Sequence, residues 1–323
     1  MILYIGLWDL EESDMTKYDK YGALHVNAKG KLTDRNGEKV ILHGFSTHGL
    51  SWYPQYVNRE FFEFMSEKWH VDVVRLAMYT EEKDGYCVSD EANRNRLIDV
   101  IDRGVRAAAE TGLYVIIDWH ILSDSNPLIH KDEAVRFFEL MAKKYHAYGN
   151  VFYEICNEPN KGCTWADIKE YAGAVIPAIR KYDKYAVILC GTPNWSQYVD
   201  EAVADPILSD DNLMYVLHFY ADSHRQELRD RFEMAARKDL PLFITEFGCC
   251  DASGNYTNNF EEANKWIELA DRYDVSFVMW NIANRDESSA SFIPQCDKVT
   301  DFTDEDLNEA CKWYLKVLDE HAK

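Results

Sequence analysis

No stretch of the chain approaches the roughly 20 consecutive apolar residues that a membrane-spanning helix needs, which excludes a membrane protein of that type. Basic residues are scarce: 35 Lys and Arg against 56 Asp and Glu leave a formal net charge of −21. Nucleic-acid binding needs clustered cations to neutralise phosphates, so nucleic acid is excluded as a partner, and an anionic membrane surface with it. An acidic surface suits a soluble protein with a neutral ligand. The eight cysteines show no CxxC or His–Cys spacing of the kind that marks a zinc site. Cys156 and Cys190 fall in strand-like runs, where a free thiol acts as a small buried hydrophobe. In a chain this long an even number of cysteines implies no disulfide. Residues 1–8 are apolar, but no basic residue precedes them, and Asp9, Glu11 and Glu12 follow at once. That is not a signal peptide; the chain reads either as cytoplasmic or as the form left after a leader is removed. Linkers, low-complexity segments and internal repeats are also missing. One domain over residues 21–323 is expected, preceded by an extension over residues 1–20.

What the chain does have is alternation. Short, nearly continuous apolar runs rich in Val, Ile and aromatics lie at residues 40–46, 71–79, 113–119, 151–155, 186–190, 213–220, 242–246 and 275–280. Such runs suit parallel strands buried on both faces. Between them, apolar residues recur at spacings of three and four, predicting amphipathic helices over 61–68, 90–110, 131–145, 260–272 and 304–318. Asn58 is a candidate cap for the first of these, and Thr303 with Asp306 for the last. Eight strands alternating with helices predict a single-domain α/β fold, the (β/α)8 or TIM barrel. The segment 24–42, with Asn36-Gly37 as a turn, predicts an N-terminal β-hairpin that plugs the barrel bottom.

Two peptides carry the chemistry: Ile155-Cys156-Asn157-Glu158-Pro159 and Phe243-Ile244-Thr245-Glu246-Phe247-Gly248. Each puts a glutamate at the end of an apolar run, and the two glutamates are 88 positions apart, enough chain for three strand–helix units. A parallel barrel that ends two strands this way delivers both acids to one mouth. Two carboxylates flanking a sugar ring are the usual machinery of glycoside hydrolysis. Barrel active sites lie where the strands end. Those ends offer His48, Arg75, Tyr79, His120, Asn157, Glu158, His218, Tyr220, Glu246 and Trp280, more polar groups at one relative position than a structural core would place there.

The chain resembles glycoside hydrolase family 5, and within it the bacterial endo-β-1,4-glucanases. The matching stretches are His48-Gly49-Leu50-Ser51-Trp52-Tyr53, Val74-Arg75-Leu76-Ala77-Met78-Tyr79, Ile117-Asp118-Trp119-His120, Tyr153 to Pro159, Leu217-His218-Phe219-Tyr220, Thr245-Glu246-Phe247-Gly248 and Trp280-Asn281. They occur in the family's order and span the whole barrel. The resemblance implies Glu158 as general acid/base and Glu246 as nucleophile, with retention of anomeric configuration. It implies that Arg75 and Tyr220 hold Glu246 ionised and oriented. It further implies that Asn157 donates to the sugar 2-hydroxyl, and that His120 and His218 complete the polar shell. Trp280 becomes the platform beneath the reacting ring. His48, Trp52, Tyr53, Tyr79 and Trp195 become further sugar contacts, and Arg285 with Glu287 stands where the family often has a lysine and a glutamate. Two departures are Cys249-Cys250 after the nucleophile strand and Ala283-Asn284 in place of Ser-Asp.

The resemblance further implies no metal and no cofactor; His48 and His120 beside Asp118 lack a ligand-type spacing. The expected partner is a β-glucan polysaccharide or a cello-oligosaccharide. The expected protein is a secreted monomer, with carbohydrate-binding modules in the full-length form. Four readings stay open at this point: an endoglucanase; the same mechanism on mannan, mixed-linkage glucan, xyloglucan or xylan; a barrel that binds β-glucan without cutting it; and an intracellular enzyme for short oligosaccharides.

Overall fold

The apolar runs form the barrel staves. In this computed structural model, which describes residues 15–322, they are β3 (His43–Thr47), β4 (Val73–Tyr79), β5 (Tyr114–His120) and β6 (Val151–Glu154). The remaining staves are β7 (Ile188–Cys190), β8 (Leu213–Tyr220), β9 (Leu242–Gly248) and β10 (Phe277–Ile282). All eight pair in parallel and close in the order β10-β3-β4-β5-β6-β7-β8-β9. The (β/α)8 barrel expected from the sequence is the fold the chain adopts.

Helices alternate with the staves and cover their outer faces: α2 (Arg59–Trp69), α3 (Glu91–Glu110), α4 (Lys131–Tyr145), α5 (Trp165–Arg180), α8 (Gln226–Ala236), α9 (Phe260–Arg272) and α10 (Glu309–His321). Two short elements, α6 (Pro193–Ser196) and α7 (Val199–Ala204), fill the interval after β7. Side-chain caps start the helices where the sequence supplies them. Asn58 accepts from the Phe61 N–H, Asp90 from Asn93, and Thr164 with Asp167 forms a reciprocal box. The helix expected over 304–318 begins later. Thr303 donates to Asp306 from both its amide and its hydroxyl, but the turn they close is a single 3-10 turn over Asp304–Asp306. The helix proper starts at Glu309. The sequence reading also passed over α5 and α8, whose apolar stripes are broken by Gly173 and Pro177 and by a run of charges respectively.

At the barrel bottom, β1 (His25–Val26) and β2 (Leu32–Thr33) pair antiparallel, with a bridge from Thr33 to Lys39 across the Asn36-Gly37 turn. Leu24, Leu32, Val40 and Leu42 from this hairpin meet inward-facing Val73, Ile116, Phe152, Val216, Phe243 and Val278 in one apolar cluster. This is the expected plug. Residues 1–14 of the expected extension lie outside the described residues. The helix α1 (Lys17–Tyr21) packs under the barrel, with Lys17 Nζ 2.9 Å from Asp72 Oδ2 and Tyr18 edge-on to Tyr114. All eight cysteines carry free thiols, seven of them buried.

Candidate active site

Strand alternation sorts side chains into inside and outside. On β4, Val74, Leu76 and Met78 join the outer core under the helices, whereas Val73, Arg75, Ala77 and Tyr79 face in. The inward series therefore changes character along each stave, apolar at the start and ionisable or aromatic at the end. On β9 the alternation is broken. Val216 pairs with Phe243 but His218 pairs with Glu246, so β9 carries one extra residue, and the same slip appears against β10 between Ile244 and Phe247. Bulges re-aim side chains next to active sites. Here the bulge turns both Thr245 and Glu246 inward while Ile244 and Phe247 stay in the outer core.

Arg75, wholly buried, organises the site. Its guanidinium reaches Glu154 with two bonds (2.7 and 3.1 Å), Asp118 at 3.0 Å, Glu246 at 3.1 Å, Asn157 Oδ1 at 2.7 Å and Ser46 Oγ at 3.2 Å. Tyr220 donates its hydroxyl to the other Glu246 oxygen at 2.8 Å. Burial pushes the Glu246 carboxyl up, while the Arg75 charge and the Tyr220 hydrogen bond pull it back down. Glu158, on the turn after β6, is pushed well above the usual carboxylate range, first by burial and then by the Glu246 charge. Of the pair, Glu158 is the one whose surroundings favour the protonated form, and Glu246 is the group with a cation and a hydroxyl committed to its charge.

Two histidines flank this pair, each tied to one of Arg75's other carboxylates. His120 Nδ1 stands 2.6 Å from Asp118, and its Nε2 takes a hydrogen from Asn157 at 3.2 Å. His218 stands 3.0 Å from Glu158 through Nδ1 and 2.8 Å from Thr245 Oγ through Nε2. Burial, with the Arg75 charge second, drives His120 down to about 3 and His218 well below its ordinary value, so both rings are neutral. Burial likewise pushes Asp118 and Glu154 up to about 7 against the pull of Arg75. These two carboxylates were quoted in the sequence motifs but given no role. Nothing in the sequence marks them apart from strand parity, which places Asp118 and Glu154 on the inward face.

Above these groups opens a cleft of about 730 Å³. Glu158, Glu246, His120, His218 and Tyr220 reach it, and so do His48, Trp52, Tyr79, Trp195, Trp280, Arg285 and Glu287 from the sequence reading. Tyr53 does not line it; its ring packs on His48 at 5.1 Å. Arg75 and Asn157 lie beneath the floor. Both Asn157 amide hydrogens are directed at protein acceptors, Ile121 O and His120 Nε2, so in the free protein it positions its neighbours. Trp280 stacks on His120 at 5.3 Å, and Arg285 pairs with Glu287 at 2.9 Å. Glu287 is in turn held by Asn281 at 2.9 Å. The departures from the family pattern fall outside the reacting centre. Cys250 packs under Tyr79, Tyr220 and Trp280, and Asn284 bonds the Cys296 carbonyl. Glu82, Gln197 and His224 also line the cleft and were not anticipated.

Backbone geometry holds the rim. Asn194, Trp195 and Ser196 all have left-handed φ (57°, 58° and 55°), a conformation that costs about 1–3 kcal/mol for each non-glycine residue. The turn is tied to the segment that carries Glu158: Trp195 N donates to Pro159 O at 2.9 Å and Ser196 Oγ to Asn157 O at 2.6 Å. It leaves the Trp195 indole 39% exposed at the cleft. Gly49 and Gly248 are required by close approach. A Cβ on the first would lie 2.6 Å from Trp52, and on the second 2.5 Å from the Tyr220 ring.

Comparison with known proteins supplies the family. The sequence model "Cellulase (glycosyl hydrolase family 5)" matches residues 33–286. The chain is 45% identical to Endoglucanase A of Butyrivibrio fibrisolvens over 303 residues, covering 94% of this chain and 70% of that protein. It is 43% identical to an endoglucanase of Clostridium saccharobutylicum over 289 residues, 89% of this chain and 63% of that protein. Among solved structures, a variant of the catalytic domain of Thermobifida fusca endoglucanase Cel5A in complex with cellotetraose superposes with a TM-score of 0.87 at 34% identity, covering 94% of this chain and all of that domain. A match over most of the barrel, in sequence and in structure, means that this chain belongs to the cellulase family, glycosyl hydrolase family 5, and is a glycoside hydrolase.

Proposed function

We propose that the chain is a retaining endo-β-1,4-glucanase that cuts internal bonds of cellulose and related β-glucans by double displacement. The observation that carries this reading is the carboxylate pair: oxygens of Glu158 and Glu246 come within 4.8 Å of each other across the cleft floor. Retaining enzymes hold their carboxyls about 5–5.5 Å apart, inverting ones about 6.5–9.5 Å, to leave room for water. Glu246, held by Arg75 and Tyr220, attacks the anomeric carbon while Glu158 gives its proton to the leaving glycosidic oxygen. The covalent glycosyl-enzyme removes the Glu246 charge. Glu158, now ionised, takes a proton from water as that water attacks the same carbon and frees Glu246. Trp280, Trp52 and Trp195 offer flat aromatic faces for glucose rings along the cleft. The complex of the similar Thermobifida domain with cellotetraose supports a chain-shaped β-glucan ligand for this chain.

The proposal extends to an extracellular monomer built on residues 21–323, attached to carbohydrate-binding modules in the full-length protein. The curated relatives, of which the chain spans 70% and 63%, are longer than it. Reducing-sugar release and viscosity of carboxymethylcellulose test the reading, with Glu158→Gln and Glu246→Gln beside the wild type. A rapid viscosity drop, lost about a thousandfold or more in both variants, is the expected result. Cleavage confined to mannan, xylan or mixed-linkage glucan would keep the mechanism and replace the substrate. Near-full activity in either variant would overturn the assignment of the site.

A further inference from the structure

Thr245 has no part in the reaction as drawn, yet it stands between two groups whose protons matter. Its Oγ lies 2.8 Å from Glu154 Oε1 and 2.8 Å from His218 Nε2. A hydroxyl has one hydrogen to give. The Glu154 carboxylate, gripped by Arg75 through both oxygens, offers only lone pairs, so the Thr245 hydrogen goes to Glu154. The Thr245 lone pair then faces His218 Nε2, which must carry the ring's hydrogen. A neutral imidazole has only one N–H. Nδ1 is left as a bare lone pair, 3.0 Å from Glu158 Oε1. The one hydrogen bond available there is Glu158 O–H donating to Nδ1.

We propose that Thr245 and Glu154 are positioning residues that lock His218 in its Nε2–H tautomer, so that His218 can bond only the protonated form of Glu158. The proposal rests on the acid/base role of Glu158 given above. The opposite polarity would put a proton on Glu154 against the Arg75 guanidinium. Arg75 bonds both Glu154 oxygens, whereas Glu158 has no cation bonded to it and is pushed up by burial and the Glu246 charge.

The consequence reaches both half-reactions. When Glu158 passes its proton to the leaving oxygen, its carboxylate is left facing a lone pair, which disfavours the ionised form. The same contact therefore makes Glu158 a stronger base when it takes a proton from water, and the recovered O–H restores the bond to Nδ1. No proton moves through Thr245; it sets the polarity and is unchanged by the cycle. Glu158 is also faced by Glu246, Arg75, Asp118, Glu154, Tyr79 and Tyr220, and His218 by Arg75, His120 and Glu154. All of these remain when Thr245 alone is changed.

The test is the pH dependence of kcat/KM on cellotetraose for the wild type, Thr245→Val and Thr245→Ser. Valine keeps the volume and removes the acceptor. His218 can then carry its hydrogen on Nδ1 and donate to ionised Glu158. The basic limb should move to lower pH by about one unit, and serine should restore it. A limb that stays in place while activity falls equally at every pH would make Thr245 merely structural and overturn the proposal. Nitrogen-15 shifts of His218, assigned by their loss in His218→Asn, give a readout independent of activity. The hydrogen should sit on Nε2 in the wild type and be shared between both nitrogens in Thr245→Val. Finding it on Nδ1 in the wild type would also overturn the proposal. Glu158→Gln separates the two levels: if it stays active, the acid/base reading has failed, and if it is inactive while the Thr245→Val limb is unmoved, only the tautomer lock has failed.

Discussion

The lower and upper halves of the barrel interior are built from the same eight strands and have opposite chemistry. Below, Val73, Ile116, Phe152, Val216, Phe243 and Val278 meet the hairpin in a dry apolar layer. Above, two residues further along the same strands, stand Arg75, Asp118, Glu154, His218, Thr245 and Trp280. Burying apolar surface stabilises the fold at about 25 cal/mol per Å². Burying charge opposes folding unless each group is paired, and the upper layer has one guanidinium for four carboxyls. The lower half therefore secures the closed barrel that the upper half needs in order to hold unfavourable protonation states in place. Stability and reactivity are separated by about two residues of strand.

Substitutions in each half should separate in the same way. Among substitutions that leave both glutamates in place, the largest effect on turnover is expected from Arg75→Lys. The ammonium keeps the charge but cannot reach Glu154, Asp118 and Glu246 together, so kcat should fall about a hundredfold or more. If the thermal midpoint falls as far as the lower-half variant's does, the division of labour is wrong. Phe243→Ala is that variant. It should cost about 3–5 kcal/mol in denaturant unfolding and leave kcat within about twofold at a temperature where the protein is folded. Gly248→Ala lies at the seam. Its methyl group would push the Tyr220 ring off Glu246, and kcat should drop about tenfold with KM little changed.

The pH profile of kcat/KM sharpens the upper half. Activity should fall at low pH as Glu246 takes a proton, and at high pH as Glu158 loses one, with the upper limb well above the usual carboxylate range. A single limb would mean that one of the two does not titrate in the reaction. The smallest effect is expected at the rim: Trp195→Ala should raise KM for cellotetraose about threefold and leave kcat unchanged.

How much of this could be read in advance varies by residue. Glu158 and Glu246 stand out because each ends an apolar run, and His120, Tyr220 and Trp280 because they end runs as well; Arg75 and His218 stand out as basic residues set inside such runs. The same reading missed Asp118 and Glu154, since a carboxylate inside an apolar run gives no sign of its partner until the strands close around Arg75. It also assigned Asn157 a donor role that its buried amide hydrogens, already placed on Ile121 and His120, leave no room for in the free protein. Glu82, Gln197 and His224 come from loops whose paths follow no periodicity.

The sequence by itself determined the staves, their number and order, and the positions at which reactive groups would stand at their ends, because buried parallel strands demand short continuous apolar runs and interrupt them only at the mouth. The tertiary structure alone decided which residues face in where alternation fails. The extra residue in β9 turns Thr245 and Glu246 to the same side, a consequence of pairing with β8 and β10 that no local pattern encodes. It also decided the direction of the hydrogen bonds from Arg75 through Glu154 and Thr245 to His218 and Glu158, because a donor's direction is fixed only when every neighbour's lone pairs have been placed around it.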